Sequence, residues 1–443
     1  MERVATSGPD KRAELCREHA RAQLQRGDLA QAEQAFQQLL ALLPADVEAL
    51  CFVADRQLAR DQHALALDTL QAALQANPDS APLLHQLGAT QLAAGAFAAA
   101  ALSLRGCLRQ QPRAFLARLR LGIALEQLQQ PKEALLAYYG AIRQAQLQGR
   151  WLNDATTAPA LREVVRYAMR YVNDGRARLF SELLEPLRQR HGASELVRVE
   201  HCLAVHLGQQ ALEFPDARQQ PKFLYFPGVP SQPFYPHERF PWLETLEAAT
   251  ATVRAELRAV LEQASLEAFL GEPDSAATTS MLRGESGRAA AWDAYFFHRH
   301  GKHYDDHRAR CPQTTRLLDA LPLVHIRDHA PEALFSVLRP GTHILPHRGV
   351  TNTRLVTHLP LIVPRDCALR VGGEIHEWQE GRCVTFDDTF EHEAWNRSDQ
   401  TRVVLILDSW NPDLTEVERL AVTALVEAIG DFNQACDETP ADA

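Results

Sequence analysis

The sequence predicts an α + β multidomain protein in which an N-terminal α-solenoid precedes an antiparallel β domain. Three observations predict this: a 34-residue repeat within the first 145 residues, a proline- and aromatic-rich run at 214–242, and short β-type segments from about residue 333 onward. The chain has 443 residues, of which 46% are hydrophobic and 23% are charged, which suffices for two or three soluble domains with their own cores.

The repeat consists of small residues and prolines that return at a constant interval. Residues 34 positions apart include Pro44, Pro78 and Pro112, then Ala32, Ala66, Ala100 and Ala134, and the pair Leu87-Gly88, which returns as Leu121-Gly122. A small residue at a fixed position lets two helices approach closely, and a proline after the second helix ends it. The pattern resembles the tetratricopeptide repeat, so we expect a solenoid of helix pairs over 1–145 whose concave face binds a peptide or protein.

The remaining boundaries follow from changes in composition. Residues 146–213 keep helical apolar spacing without the repeat, so they predict a helical extension or cap. The seven prolines within 214–242 interrupt regular structure and mark the entry to a domain over 214–435. An acidic tail is expected at 436–443.

Charge and patterning disfavour several classes of partner and location. The formal net charge of −10 argues against a nucleic-acid partner. No run of about 18 apolar residues is present, so no membrane span is expected. The N-terminal residues have no apolar signal core, and the eight cysteines include no CxxC pair, as expected of reduced thiols in a cytoplasmic protein.

Two histidines in the β region are candidate metal ligands. His347 opens HRGVTN after a β-type segment, and His392 follows FDDTFE 45 residues later, where loops of a small barrel can converge. Neutral imidazoles bind Fe(II), and an oxygenase keeps open coordination positions for its co-substrates. The usual triad has a carboxylate two residues after the first histidine, but this chain has Gly349 there, so spacing alone does not complete a triad.

Strand alternation brings arginines onto the same faces as other polar groups. In TRLVTHLPLI, Arg354 and His358 share one face, which suggests a polar interior. In TRVVLILD, Arg402 shares a face with Asp408. A guanidinium there suits an anionic ligand, because its fork can bind a carboxylate through two hydrogen bonds, and the alternative is a structural Arg402–Asp408 pair.

Three segments together carry a family resemblance. PGTHILPHRGVTNTRLVTHLPLIVP, FDDTFEHEAWN and RVVLILDSWNP closely resemble the aspartyl/asparaginyl β-hydroxylase family, over roughly 220–415 and most strongly over 336–412. The resemblance implies a double-stranded β-helix, or cupin/jelly-roll, domain that acts as an Fe(II)- and 2-oxoglutarate-dependent dioxygenase consuming O₂. Members of the family use two histidines with glycine at the carboxylate position and often carry N-terminal tetratricopeptide repeats.

The resemblance also implies individual roles for residues of this chain. His347 and His392 would bind iron, Ser336 and Arg402 would hold the distal carboxylate of 2-oxoglutarate, and His358 would lie near its other carboxylate. Arg354 would face the substrate, and Asp388 would orient iron-bound water or a ligand. The family's second arginine is replaced by Val356, so Arg370 is a candidate for holding a carboxylate of 2-oxoglutarate or of an acidic substrate.

The implied activity is hydroxylation of an Asp/Asn-type or related residue in a peptide or protein presented by the repeats. Two alternatives stay open: a non-catalytic repeat scaffold with a degenerate cupin module, and the same chemistry on a small molecule. A separate histidine cluster, HRHGKHYDDH at 298–307, is a weaker candidate for a metal site, because its spacing fits no established ligand pattern.

Overall fold

The computed structural model describes residues 8–271, 275–285 and 287–437 and divides into two compact units. One unit runs as far as Arg176 and also takes in the residues from Asp431 onward, and the other covers Ala177–Gly430. Composition placed boundaries instead at 145, 213 and 435. The first division falls inside one continuous helix, Arg162–His191, where composition does not change. Of the expected acidic tail, only positions 436 and 437 lie within the described residues.

The N-terminal unit confirms the expected α-solenoid of paired helices. Its helices are α1 Gly8–Arg26, α2 Leu29–Leu42, α3 Val47–Leu58, α4 His63–Ala76, α5 Ala81–Ala93, α6 Phe97–Gln110, α7 Phe115–Gln127 and α8 Pro131–Leu147. The four repeated alanines are fully buried. A Cβ added to Gly88 would lie 2.6 Å from Leu104, and one added to Gly122 would lie 2.6 Å from Tyr138. The repeated small residues therefore allow each helix pair to pack closely.

The second unit contains the β domain and the helices that pack on it. Its remaining helices are α9 Arg162–His191, α10 Val197–His206, α11 Leu243–Ala248, α12 Thr250–Gln263, α13 Ala276–Met281, α14 Asp305–Arg310, α15 Pro312–Asp319 and α16 Glu416–Asp437, of which α9 and α16 each extend into the first unit. Its strands are β1 Phe234–Tyr235, β2 Glu267–Ala268, β3 Leu282–Gly284, β4 Trp292–Arg299, β5 Lys302–His303, β6 Ala333–Leu338, β7 Thr342–His347, β8 Arg354–Ile362, β9 Cys367–Val371, β10 Glu374–Glu377, β11 Val384–Phe386, β12 His392–Asn396 and β13 Arg402–Trp410.

These strands form two antiparallel sheets of a jelly roll. The larger sheet has the order β1-β11-β8-β13-β6-β4-β2, with β5 paired to β4, and the smaller has the order β10-β9-β12-β7-β3. Because side chains alternate along a strand, each strand of the larger sheet has two different environments. Val356 and Val404 pack towards Leu369 of the smaller sheet, whereas Leu359 packs with Leu257 of α12. The face of the larger sheet that is turned towards the smaller sheet carries the polar candidate site residues, including Arg354, His358 and Arg402.

The proline- and aromatic-rich segment 214–242 is folded onto the β domain. Its backbone at Phe226 exchanges two hydrogen bonds with the Asn352 side chain, at 2.7 and 2.8 Å, and Phe226 is fully buried.

All eight cysteines are present as thiols rather than as disulfides. Among the described residues, none of the helices is both long enough and apolar enough for a membrane span.

Candidate active site

A cavity of about 170 Å³ lies in the β domain, lined by inward-facing side chains of both sheets. Seven of the eight residues singled out in the sequence line it: Ser336, His347, Arg354, His358, Asp388, His392 and Arg402. Arg370 is absent from this lining within the described residues. The jelly roll thus brings together side chains that are up to 66 positions apart in the chain.

The two candidate metal ligands face each other across paired strands. His392 of β12 is the register partner of His347 of β7, and their ring centroids are 4.0 Å apart. Nδ1 of His347 donates to the Leu345 carbonyl at 2.8 Å, and Nδ1 of His392 donates to the Phe390 carbonyl at 3.0 Å. These bonds select the tautomer in which Nε2 carries the free lone pair.

Both imidazole rings are neutral at pH 7, and each carries its one proton on Nδ1, which leaves Nε2 for a metal. Burial lowers the pKa of His347 and of His392 to about 4 in each case. Neutral imidazoles with exposed Nε2 lone pairs suit a divalent transition metal such as Fe(II). The residues present therefore fit the metal that the sequence resemblance implies.

Asp388 occupies the space beside Gly349, where the usual third ligand would originate. A Cβ on Gly349 would lie 2.1 Å from Asp388 Cγ, and the Gly349 amide donates to the Asp388 carbonyl at 2.6 Å. Oδ1 of Asp388 is buried without a hydrogen-bond partner among the described residues. Within the same ranges, no three His, Cys, Asp or Glu side chains group to hold a metal. Two imidazoles are thus the candidate metal donors here, and Asp388 lies beside them.

Arg402 is a buried guanidinium without a carboxylate partner in the described part of the chain. Its Nη1 lies 3.4 Å from Ser336 Oγ, its Cζ lies 4.7 Å from the centroid of the Trp378 ring, and its Nε is unpaired. Burial lowers its pKa to about 10. Beside it, burial and then the Arg402 charge hold the pKa of His358 well below its usual value, and Nδ1 of His358 is also unpaired. This end of the cavity suits an anion.

Arg354 differs, because its charge is already balanced within the protein. Its Nη1 is 2.7 Å from Asp408 and its Nη2 is 3.5 Å from Asp388. Burial alone would lower the pKa of Arg354, but the carboxylates of Asp408, Asp388 and Glu332 raise it above its usual value. The Arg402–Asp408 pair considered from the sequence is therefore replaced by an Arg354–Asp408 pair.

Arg370 forms an ion pair with Glu393, a residue that lines the cavity, while Arg370 itself is not among the described lining residues. Glu393 also lies 2.6 Å from Nε2 of His343, so a buried carboxylate holds both groups. The register of β9 and β12 places Arg370 opposite Glu393. The structure therefore gives Arg370 a partner of its own and, over the described ranges, does not place it in the cavity lining with the candidate metal ligands.

Three polar residues of the cavity lining, Trp292, Glu332 and Glu393, were missed by the sequence reasoning. Trp292 donates its indole N–H to Ser336 Oγ at 2.9 Å, and Glu332 lines the same cavity. Alternation from Ser336 back through Leu334 leads to Glu332, so strand periodicity offered a signal for the carboxylate. No comparable pattern pointed to Trp292, which comes from a different strand.

The four histidines at 298–307 are not among the described residues that line the cavity, although one of them contacts a lining residue. His298 and His303 have ring centroids 4.6 Å apart, and His307 stacks on Tyr295 at 4.0 Å. His300 Nδ1 contacts Glu332 at 2.8 Å. Over the described ranges, these histidines do not group into a metal site.

Together, the fold and the cavity define a repeat-bearing jelly-roll protein with a candidate two-histidine metal site beside an anion site. Residues 247–412 match the sequence model of the aspartyl/asparaginyl beta-hydroxylase family, and this segment is a domain of that family.

Two similar proteins carry names from this family or a related activity. The ornithine lipid ester-linked acyl 2-hydroxylase of Rhizobium tropici is 34% identical over 43% of this chain and 64% of its own length. The aspartyl/asparaginyl beta-hydroxylase of Homo sapiens is 30% identical over 65% of this chain and 35% of its own length. The chain thus spans less than two thirds of either relative.

Among solved structures, an O-GlcNAc transferase mutant from Thermobaculum terrenum matches 32% of this chain and 28% of its own chain, with 23% identity and a TM-score of 0.30. Similarity at this level does not bear on the fold or the function, which rest on the elements described above.

Proposed function

We propose that the protein is an Fe(II)- and 2-oxoglutarate-dependent dioxygenase that hydroxylates an Asp/Asn-type or related residue of a peptide or protein. One observation carries the proposal: two neutral imidazoles with free Nε2 atoms and an unpaired buried guanidinium share one small cavity. The family domain over residues 247–412 supports the same class of reaction.

The histidines would hold the metal through Nε2, while the carbonyls of Leu345 and Phe390 retain the Nδ1 protons. When bound, Fe(II) with 2-oxoglutarate and O₂ supplies the oxidant that inserts one oxygen atom into a substrate C–H bond, with succinate and CO₂ as the other products. Asp388, next to His347 and His392, would orient a water molecule or ligand through its unpaired Oδ1.

The co-substrate would bind with its distal carboxylate against Arg402 and Ser336. A carboxylate there would give the buried guanidinium the partner that the described residues do not provide. Trp292 orients the Ser336 hydroxyl from one side, and the ring of Phe269, stacked 3.9 Å from the ring of Trp292, forms part of the cavity wall. A dry, preorganised cavity favours this chemistry.

The repeats would present the polypeptide substrate. The solenoid has a cavity of about 830 Å³ whose lining includes Phe115, Arg113 and Gln148, a mixture of apolar and hydrogen-bonding groups suited to a peptide. Since one relative is named a lipid acyl hydroxylase, a small-molecule or lipid substrate is the second candidate.

The test uses the full-length protein with Fe(II), ascorbate and 2-oxoglutarate. We expect iron-dependent succinate formation that falls at least ~100-fold in His347→Ala and in His392→Ala. His303→Ala, an exposed histidine that does not line the cavity, should leave the rate unchanged. Equal rates in His347→Ala and wild type, or no succinate from wild type, would overturn the proposal and favour a non-catalytic scaffold.

Substrate identity is read in a second experiment with the same full-length chain. A lysate is incubated with wild type or with His392→Ala, and captured polypeptides and extracted lipids are compared by mass spectrometry. A gain of one oxygen on a polypeptide, seen only with wild type, supports the proposed substrate class. The same gain on a lipid instead would support the second candidate.

A further inference from the structure

The cavity has two electrically different ends along one strand. Arg402 and Asp408 lie on the same face of β13, six positions apart, which corresponds to roughly 20 Å at the rise of an extended strand. Ser336 pairs near the Arg402 end, opposite Val404. Arg354, Asp388 and Asp408 belong to the other end, which we call the acidic end together with Glu332.

Among the residues that line the acidic end, carboxylates outnumber guanidinium groups. Arg354 contacts the carboxylates of Asp408 and Asp388. The backbone amide of Glu332 donates to Asp408 Oδ2 at 3.0 Å, so Glu332 belongs to the same group of residues. All four residues line the cavity. When ionised, the three lining carboxylates face one lining guanidinium, while Arg299 and Lys222 act on Glu332 and Asp388 from outside the described cavity lining.

A buried acceptor atom without a hydrogen-bond partner among the described residues also lies at this end, at Asp388, whose Oδ1 can accept from a substrate group as well as from a water molecule. Asp388 is 7% exposed. The Glu332 carboxylate is contacted through Oε1. The backbone amide of His300 donates to this atom at 2.8 Å, and Nδ1 of His300 lies 2.8 Å from it. The Glu332 side chain is partly exposed, so its Oε2 can also reach solvent. A buried acceptor such as Asp388 Oδ1 is stabilised by a hydrogen-bond donor.

We propose that the acidic end receives a hydrogen-bond-donating group of the substrate, a carboxamide or an ammonium or guanidinium group, and discriminates against a carboxylate. This rests on the proposed function and narrows its substrate class from Asp/Asn-type residues to amide-bearing or basic ones. A carboxylate would enter a low-dielectric space beside Glu332, Asp388 and Asp408, where like charges repel, with Arg354 already engaged. Arg354 thereby becomes a residue that positions two carboxylates.

The test measures three probes of one shape: n-butylammonium, butyramide and butyrate. Full-length protein is saturated with Fe(II) and 2-oxoglutarate without oxygen, so that the Arg402 end is filled before each probe is titrated calorimetrically. We expect butylammonium to bind at least ~10-fold more tightly than butyrate, with butyramide between them. Glu332→Gln should weaken butylammonium ~3- to 10-fold, whereas Glu285→Gln, a carboxylate paired with Arg397 outside the cavity lining, should not.

Butyrate binding as tightly as butylammonium, no saturable binding of either, or an unchanged preference in Glu332→Gln would each overturn the inference. Asp408→Asn is the second variant, and a normal melting profile shows that it is folded. It should narrow the gap between butylammonium and butyrate, and an unchanged gap would count against the inference. Failure of 2-oxoglutarate to bind overturns the proposed function and is read from its own titration.

Discussion

Two arginines on the inward face of the same sheet have opposite surroundings. Arg402 is 1% exposed and faces a serine hydroxyl and an indole ring, whereas Arg354 contacts two carboxylates. A buried charge without a partner costs several kcal/mol, so a site that keeps one is arranged for an anionic ligand. Residue type and strand face thus indicate which arginines point into the cavity. Whether such an arginine is available to bind an anion depends on whether a carboxylate of the protein already pairs with it.

Stability gives the largest expected contrast between them. Arg354→Met leaves Asp408 and Asp388 buried without their cation and should lower the free energy of unfolding by about 3–5 kcal/mol. Arg402→Met removes an unpaired buried charge and should leave the stability unchanged or raise it. Chemical denaturation of the full-length variants without ligands measures both. Equal decreases in the free energy of unfolding of the two variants would contradict the view that Arg354 is paired with carboxylates and Arg402 is not.

Co-substrate affinity should show the reverse order. Arg402→Met should weaken 2-oxoglutarate binding by about 2–3 kcal/mol, or ~30- to 160-fold, because the buried carboxylate loses its charged donor. Arg402→Lys should recover part of this loss. Arg339→Met, an exposed arginine paired with Asp293, serves as the control in calorimetry and should bind normally. Unchanged affinity in Arg402→Met would contradict the assignment of the anion site.

The position of Asp388 can be tested through its glycine neighbour. Gly349→Ala brings a Cβ within 2.1 Å of Asp388 Cγ, so the carboxylate must move away from Arg354 and from the histidines. We expect a loss of stability of about 1–3 kcal/mol and weaker iron binding. Gly106→Ala, whose Cβ meets Leu84 at an ordinary 3.4 Å, should not weaken iron binding. Normal iron affinity in Gly349→Ala would show that Asp388 does not support the metal.

The smallest expected effect is a pH dependence at the acidic end. Burial raises the pKa of Glu332 to about 7, with Asp408 adding to the rise and the His300 amide, Arg354 and Arg299 opposing it. Because the carboxyl loses its proton as pH rises from 6 to 8, butylammonium should bind ~3- to 10-fold more tightly at pH 8. Glu332→Gln should flatten this profile. A slope that persists in the variant would assign the titration to another group, such as His300.

The sequence by itself determined the features that depend on local period. A 34-residue interval predicted the paired helices, and alternation predicted that Arg354 and His358 share a face, as do Arg402 and Asp408. The resemblance also selected His347 and His392, which the structure brings to a ring separation of 4.0 Å. These patterns survive folding because they depend on neighbours within one helix or strand.

Only the tertiary structure decided which charges meet. Asp408 lies opposite Val356 in the pairing of β13 with β8, so Arg354, two positions away on the same face, is its diagonal neighbour. Arg370 is likewise directed to Glu393 by the register of β9 with β12. Strand register sets these partners, and it is determined by packing of the whole sheet, which periodicity within a single segment does not encode.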